Sequence, residues 1–191
     1  MEILDLVDNN GSPTGVTASR EEAHRLGLQH RTSHVWLVRK QNGELQLLLQ
    51  KRSRDKDSYP GCWDISSAGH IPAGQGFLDS AIRELREELC VAARPEELLF
   101  CGLRRFTFSD TFYGKPFRDR QVSAVYALLR PEEENTFVPQ KSELECVRWT
   151  DFSACVELAR HHLEPNCLQL EELNMVLAGI REHPFFFRGE E

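Results

Sequence analysis

The chain has 191 residues, 40% hydrophobic and 28% charged, which is typical of a folded globular protein rather than a disordered one. Its 30 acidic residues outnumber its 23 Lys and Arg, and the net charge of -7 argues against a protein that coats nucleic acid or anionic lipid. It contains no run of about 18 apolar residues and no basic, apolar leader, so we expect a cytoplasmic protein without a membrane span. The length fits one domain over residues 1–191.

Six cysteines are spread along the chain without a Cys-x-x-Cys pair. This spacing argues against a zinc ribbon and against a dithiol redox motif. We therefore expect reduced thiols, most of them buried.

The first 30 residues predict a short strand followed by a short helix. Residues 3–7 alternate between apolar and polar side chains, and turn-forming residues follow at 8–13. Ser19 and Glu22 have the spacing of a capping box, which predicts the start of a helix at this point.

The rest of the chain predicts a sheet between helices. Asn42-Gly43 separates two apolar runs and indicates a hairpin, because this pair readily takes the positive φ angles of a tight turn. Pro165 forbids one continuous helix over the C-terminal region of about 152–181. The predicted strands are 34–38, 45–49, 98–108, 121–129 and 145–149, and the predicted helices are 78–91, 152–163 and 168–181. This order favours an α/β sandwich.

The helix predicted over 78–91 places three carboxylates close together. At roughly 100° per residue, its apolar residues form one arc that would pack on the sheet, while Glu84 and Glu88 share a flank and Glu87 adjoins them. Like charges at this spacing repel each other, whereas a divalent cation would make the cluster favourable. Carboxylates on a rigid helix suit Mg²⁺ or Mn²⁺. A solvated face, in which Arg83 and Arg86 pair with the glutamates, is the alternative.

A glycine-rich segment from Gly69 to Gly76 precedes this helix, and together they resemble the signature of the Nudix hydrolases. In that signature a Gly is followed after five residues by Glu, and after seven more by Arg-Glu-aliphatic-x-Glu-Glu-x-Gly-aliphatic. The matching positions are Gly69, Arg83, Glu84, Leu85, Glu87, Glu88 and Val91. Within the box, residues 69–91, Gln75 replaces the first Glu and Cys90 replaces the Gly after the helix.

The resemblance implies a Nudix-like α/β/α sandwich with a mixed central sheet. It also implies a hydrolase that uses water to cleave a small-molecule diphosphate, such as a nucleoside diphosphate derivative, and not a nucleic-acid-binding protein. Glu84, Glu87 and Glu88 would hold the metal with the Ala68 carbonyl, and one glutamate, preferably Glu87, would accept the proton of water.

Two basic residues in a charged loop are candidates for binding the diphosphate. Arg52 and Lys56 could grip phosphate oxygens, because a guanidinium fork matches that geometry. A solvated surface loop is the alternative interpretation of these two residues. We expect substrate specificity to lie in loops such as 108–117.

Residues outside the box are similar to the isopentenyl-diphosphate isomerase branch of the family. His24, His30 and the run from Pro60 to Trp63 match this branch in order and approximate spacing. The isomerase's proton-transferring cysteine, however, is Ala68 here, and a second acidic position is Gln121. Alanine and glutamine cannot move protons on and off carbon, so this comparison favours a hydrolase over an isomerase.

Three further interpretations stay open at this stage. A non-catalytic nucleotide or diphosphate sensor would tolerate Gln75 and Cys90, although such a module has no need of three crowded carboxylates. His24, His30 and His70 could form a second metal site, as in the isomerase, or could serve only in packing. The run 185–187, three phenylalanines, is interpreted as a core or subunit-interface plug, which makes a homodimer possible.

Overall fold

The computed structural model describes residues 2–56 and 58–183, and in these residues nine strands form a two-stranded and a seven-stranded sheet. The strands are β1 (Ile3–Val7), β2 (Pro13–Ser19), β3 (His30–Gln41), β4 (Glu44–Arg52), β5 (Trp63–Asp64), β6 (Ser67–His70), β7 (Leu98–Phe112), β8 (Lys115–Leu129) and β9 (Leu144–Asp151). The α-helices are α1 (Arg20–Leu26), α2 (Phe77–Leu89), α3 (Phe152–His161) and α4 (Leu170–Glu182).

The larger sheet is mixed. Its strand order is β5-β4-β3-β8-β7, with β6 also paired to β3 and β9 to β4. The β3–β8 pair is parallel and the other pairs are antiparallel. The parallel register sets His30 opposite Gln121 and Thr32 opposite Ser123, which gathers polar side chains at one end of the central strands.

Helices cover both faces of this sheet because successive strand residues point to opposite sides. Val35 and Leu37 of β3 pack with α2, whereas Trp36 and Val38 pack with α3 and α4. The predicted apolar arc of α2 lies in the first of these cores, through Ala81, Leu85 and Leu89. The α/β/α sandwich with a mixed central sheet is therefore confirmed.

The structure departs from the sequence predictions mainly in the strands. β2 was not predicted, because Pro13 and Gly15 disfavour a strand and its residues are mostly exposed. The expected glycine-rich loop begins only after His70, since Ser67–His70 pairs with β3. The expected loop at 108–117 is instead a hairpin of β7 and β8 that turns at Tyr113-Gly114, both of which have positive φ.

Three remaining predictions concern the cysteines, a membrane span and the phenylalanine run. All six cysteines are free, but only Cys155 is buried, so the expectation that most are buried was wrong. Within the described residues, no helix is both long and apolar enough to cross a membrane. The phenylalanine run 185–187 lies outside the described residues.

Candidate active site

Three glutamates of α2 face one cavity. Glu84, Glu87 and Glu88 line a cavity of about 190 Å³, here called the acidic pocket. The other lining residues are Glu2, Arg20, Gln50, Arg52, Lys56, Ala68, Gly69, His70, Gln140, Glu143 and Leu144. The structure therefore brings all the predicted metal-binding, catalytic and phosphate-binding residues to one place.

Burial makes two of the three carboxylates difficult to ionise. Burial raises the pKa of Glu88 to about 8, although the hydrogen bond from the Ala68 N–H and the charge of Lys56 oppose this rise. Burial also raises the pKa of Glu84, against the effect of the neighbouring Arg83 guanidinium. Arg83 contacts Glu84 at 2.9 Å and Glu87 at 3.3 Å, so the alternative pairing expected for the helix face is present for this arginine. Glu88 is buried and forms no ion pair among residues 2–56 and 58–183.

The glycine that begins the box is required for packing. A Cβ at Gly69 would overlap the Glu84 carboxylate, so any larger residue would displace this side chain. At the other end of α2, Cys90 takes the left-handed conformation with φ 58°, and its N–H bonds to the Arg86 carbonyl. Glycine is favoured in this cap conformation, which accounts for the Gly of the signature at this position.

Gln75 lies directly before the Gly76 N-cap of α2, as the sequence predicts. Its Oε1 accepts a hydrogen bond from the Ser80 hydroxyl at 3.3 Å. The Nε atom of Arg83 is buried and lacks a hydrogen-bond partner among the described residues. Gln75 therefore does not pair with Arg83 Nε.

The two predicted phosphate-binding residues already have partners. Arg52 Nη1 lies 3.2 Å from Asp64, and Arg52 also donates to the Ser58 and Tyr59 carbonyls. Lys56 forms an ion pair with Glu143. Both side chains nevertheless line the acidic pocket, so they are held at its rim instead of lying on a solvated surface.

Three histidines and one aspartate form a second cluster. One ring nitrogen from each of His24, His30 and His70 lies within 4.8 Å of the others, and Asp119 Oδ1 is 3.6 Å from His30 Nε2. Burial lowers the pKa of His24 to about 3 and also lowers the pKa values of His30 and His70, so these rings are neutral.

The contact between His30 and Asp119 is one that a cation would relieve. His30 Nδ1 donates to the Leu28 carbonyl at 2.8 Å, so its Nε2 presents a lone pair to the Asp119 carboxylate. Neither of these two facing atoms has a hydrogen-bond partner among residues 2–56 and 58–183. Imidazole and carboxylate together suit Zn²⁺ or Mn²⁺, so the cluster can hold a second metal ion.

A larger cavity adjoins the acidic pocket. Its volume is about 340 Å³, and it shares Arg20, Arg52, Lys56, Ala68, Gly69 and His70 with the pocket. Four aromatic rings line it, so it is here called the aromatic cavity: Tyr59, Phe106, Phe108 and Phe117. Its size is within the range of small-molecule sites.

Several residues of the site escaped the sequence analysis. Arg20 and Glu143 line the acidic pocket, and His34 and Glu172 line the aromatic cavity, but no motif of the sequence assigns a site role to any of the four. Asp119 could have been found, because strand alternation places residues two apart on the same face and Gln121 had been singled out.

The chain resembles known proteins along most of its length. The family model of the NUDIX domain matches residues 28–168. Nudix hydrolase 3 of Arabidopsis thaliana is 43% identical over 79% of this chain, which spans only 19% of that protein's length. The isopentenyl-diphosphate Delta-isomerase of Streptomyces avermitilis is 33% identical, over 84% of this chain and 75% of that protein.

A crystal structure from Deinococcus radiodurans has the same fold. It superposes with a TM-score of 0.64 and 22% identity, covering 91% of this chain and 97% of the other. At this identity the likeness concerns the fold alone. The family match and the relatives above concern the sequence itself, and by both the chain belongs to the Nudix hydrolase family.

Proposed function

We propose that this protein is a Mg²⁺- or Mn²⁺-dependent hydrolase that cleaves a diphosphate linkage in a nucleoside diphosphate derivative or a related small molecule. As a Nudix hydrolase, the chain is an enzyme of the pyrophosphohydrolase type, acting on acid anhydrides. One observation carries the proposal: three glutamates share a pocket with basic side chains at its rim.

The residues of the acidic pocket fit a hard divalent cation. Glu88 forms no ion pair within the described part of the chain, and the nearby charge of Lys56 does not offset its burial, so its pKa is raised to about 8. Glu84, Glu87 and Glu88, with the Ala68 carbonyl, would hold Mg²⁺ or Mn²⁺ through oxygen ligands. When bound, the ion would neutralise the diphosphate, lower the pKa of the attacking water and stabilise the leaving oxygen.

The chain's own residues would bind the substrate and move the proton. Arg52, Lys56 and Arg20 surround the junction of pocket and cavity, where they would bind phosphate oxygens. Glu87 is the most exposed of the three glutamates, so water can reach it and we assign it as the proton acceptor. The water oxygen would join the attacked phosphorus as the P–O bond of the anhydride breaks. Glu143 is the alternative acceptor, because it lines the same pocket.

The histidine cluster is proposed to bind a second cation in the same enzyme. The resemblance to the isomerase branch implies such a site, and Asp119 supplies the acidic partner that the sequence analysis did not find. Equilibrium dialysis with Zn²⁺ and Mn²⁺, followed by metal analysis, tests this. His30→Gln should lower the bound metal by one equivalent, and an unchanged stoichiometry would contradict the assignment.

The similarity to an isomerase makes isomerisation the second candidate function. Two residues argue against it. Ala68 has no proton to give, and Gln121 is engaged with Thr32 at 3.2 Å and Asp119 at 2.6 Å. An enzyme that protonates an alkene needs an acid at these positions.

We also propose a homodimer. β7 is an edge strand of the larger sheet and exposes Phe100 and Leu103, an apolar surface that a second copy could cover. Size-exclusion chromatography with light scattering measures the mass, and a monomer at all concentrations would contradict the dimer.

A substrate panel tests the proposed hydrolysis. The protein is incubated with nucleoside diphosphate derivatives under three conditions: Mg²⁺, Mn²⁺ and EDTA. We expect product release with either metal and none with EDTA. Binding of these compounds without product at saturating metal would instead support a sensor.

A further inference from the structure

A buried ion pair lies on the wall of the aromatic cavity, away from the acidic pocket. Glu172 of α4 is 2% exposed, and three side chains donate to its carboxylate. His34 Nδ1 lies 2.9 Å from it, Trp36 Nε1 lies 2.9 Å away and Arg104 Nη1 lies 3.3 Å away. Neither the metal chemistry nor the phosphate binding proposed above uses this cluster.

The contact with Glu172 determines which ring nitrogen of His34 remains for a ligand. Because Nδ1 donates to Glu172, the ring orientation is held and Nε2 is the remaining polar atom. Burial opposes protonation of His34, but the Glu172 carboxylate outweighs it and raises the pKa of the imidazole. The hydrogen-bond geometry places a proton on Nε2 as well, because the Thr32 hydroxyl beside it donates to Gln121 Oε1 at 3.2 Å and is left to accept from His34.

The Nε2 atom is available to a ligand. Its nearest protein partner is Thr32 Oγ1 at 3.3 Å, a long contact with a hydroxyl that also bonds to Ser123 at 2.7 Å. The His34 side chain is 12% exposed and lines the aromatic cavity. An acceptor atom placed in the cavity could thus take this hydrogen bond from Thr32.

Side chains of β7 form another part of the cavity wall. Arg104, Phe106 and Phe108 alternate along β7, so their side chains share one face. The rings of Phe106 and Phe108 lie nearly parallel, at 7° and 6.2 Å between centroids. The Arg104 guanidinium lies over the Phe106 ring, 4.6 Å from its centroid, so the cation and the two rings form one row against which a flat ring can pack. A hydrocarbon chain would satisfy neither the donor nor the charged side chains nearby.

We propose that His34 is a specificity-determining residue whose Nε2–H donates to an acceptor atom on a flat heteroaromatic ring, carried by the diphosphate substrate and packed against Phe106 and Phe108. The inference depends on the proposed function for its substrate, but it assigns a role to residues that the hydrolysis step does not use.

Two matched variants test the roles of the two His34 nitrogens separately: Nε2, which is available to a ligand, and Nδ1, which contacts Glu172. In His34→Asn, the amide nitrogen takes the place of Nδ1 and keeps the contact with Glu172, but nothing replaces Nε2. In His34→Gln, the longer amide reaches the place of Nε2. The exposed His161, which pairs with Glu157 on α3, gives the control variant His161→Asn.

The variants are compared on ADP-ribose, UDP-glucose, GDP-mannose and CDP-choline, and on isopentenyl diphosphate, which has no ring. We expect His34→Asn to raise KM about 10- to 100-fold for the best ring-bearing substrate, as loss of a hydrogen bond from a charged donor predicts. His34→Gln should recover most of this loss, and His161→Asn should match the wild type. An unchanged KM in His34→Asn, or equal losses in both His34 variants at wild-type melting temperature, would overturn the inference.

Two further measurements keep the test decisive. If no compound is hydrolysed, the proposed function fails, and calorimetric affinities for the same compounds decide the role of His34 by the same criteria. If the His34 variants do not fold, Phe108→Leu is used in their place. It should lower the ratio of kcat/KM for the ring-bearing substrate to that for isopentenyl diphosphate, and an unchanged ratio would overturn the inference.

Discussion

The acidic pocket and the aromatic cavity adjoin each other, yet the chain builds them in different ways. The three glutamates of the pocket that would bind the metal lie within five consecutive residues of α2, so helical spacing alone brings them together. His34, Glu172 and the three phenylalanines that line the cavity come from β3, α4, β7 and β8. A site made from one helix can be recognised in the sequence, whereas one made from four elements requires the tertiary fold.

The two regions also differ in how their charges are balanced. In the pocket, Glu84 and Glu88 have pKa values raised by burial. In the cavity, burial opposes ionisation of Glu172, but His34 and Arg104 outweigh it and lower its pKa. Burial thus dominates for the pocket's two buried carboxylates, which a bound cation would favour in their ionised form, while the cavity's buried carboxylate is already paired within the protein. The following predictions test this difference.

The largest effect is expected from removing a metal-binding carboxylate. Glu84→Gln and Glu88→Gln should each abolish Mg²⁺-dependent hydrolysis, a loss greater than the ~10–100-fold that an outer partner of a metal ligand costs. The protein should stay folded, because glutamine has nearly the same shape. Hydrolysis rates and circular dichroism spectra check this, with the exposed Glu157→Gln as control. Full activity in either variant would contradict the metal assignment.

The next effect distinguishes the two candidate proton acceptors. Glu87→Gln should lower kcat by about 10²–10⁴-fold, as loss of a general base does. Glu143→Gln should have a smaller effect, because Glu143 is paired with Lys56. Single-turnover rates across pH at saturating metal measure both variants. The reverse order of effects would make Glu143 the base.

The third prediction compares the buried carboxylates of the two regions by their effect on the stability of the metal-free protein. Glu172→Gln leaves His34 buried without its partner and Arg104 with the exposed Glu171 in place of the buried carboxylate, and it should destabilise the protein by about 3–5 kcal/mol. Glu88→Gln should instead stabilise the metal-free protein at neutral pH, because it removes a carboxylate that resists ionisation.

The pH dependence of unfolding gives the sign of each effect. The pKa of Glu88 is raised to about 8 in the folded state, so its native form binds more protons between about pH 4.5 and 8 and stability falls as pH rises through this window. The lowered pKa of Glu172 has the opposite effect, since its contribution is present above the unfolded value and is lost as pH falls. Urea unfolding in EDTA from pH 3 to pH 9 covers both windows and measures both variants, and parallel curves for the two would contradict the comparison.

A smaller effect is expected where the box departs from its signature. An acidic residue near a helix start is worth roughly 0.3–1 kcal/mol, and Gly76 provides no side-chain cap. Gln75→Glu should therefore raise the melting temperature slightly, more with Mg²⁺ than without it, and hydrolysis should not slow. The buried Arg83 Nε atom is a possible partner for the new carboxylate. A variant that is less stable and slower at saturating Mg²⁺ would show that this loop is built around glutamine.

The last prediction is the absence of an effect. Isopentenyl diphosphate incubated with the protein and Mg²⁺ should yield no dimethylallyl diphosphate, because Ala68 offers no proton donor. Product analysis by mass spectrometry with chromatographic separation checks this, with an authentic isomerase as positive control. Isomer above background would overturn the choice of hydrolysis over isomerisation.

The sequence by itself determined the features that depend on local spacing. Helical periodicity predicted α2 and its apolar face, Asn42-Gly43 predicted the hairpin of β3 and β4, and Ser19 was identified as a helix start. The Ser19 side chain accepts the Glu22 N–H at 3.1 Å, as a cap should. The carboxylate triad follows from the same periodicity, because residues three and four apart share one face of a helix.

Only the tertiary structure decided which distant residues complete the site. The parallel pairing of β3 with β8 and the hairpin of β8 with β7 bring Asp119 to His30 and set Phe106 and Phe108 along the cavity. The packing of α4 places Glu172 against His34, although the two residues are 138 positions apart. No local pattern encodes such contacts, since strand alternation specifies the face on which a side chain lies but not the neighbour that it meets. The metal-binding glutamates could be recognised from the sequence because one helix carries them all, whereas the residues proposed to select the substrate meet only when the sheet and α4 have assembled.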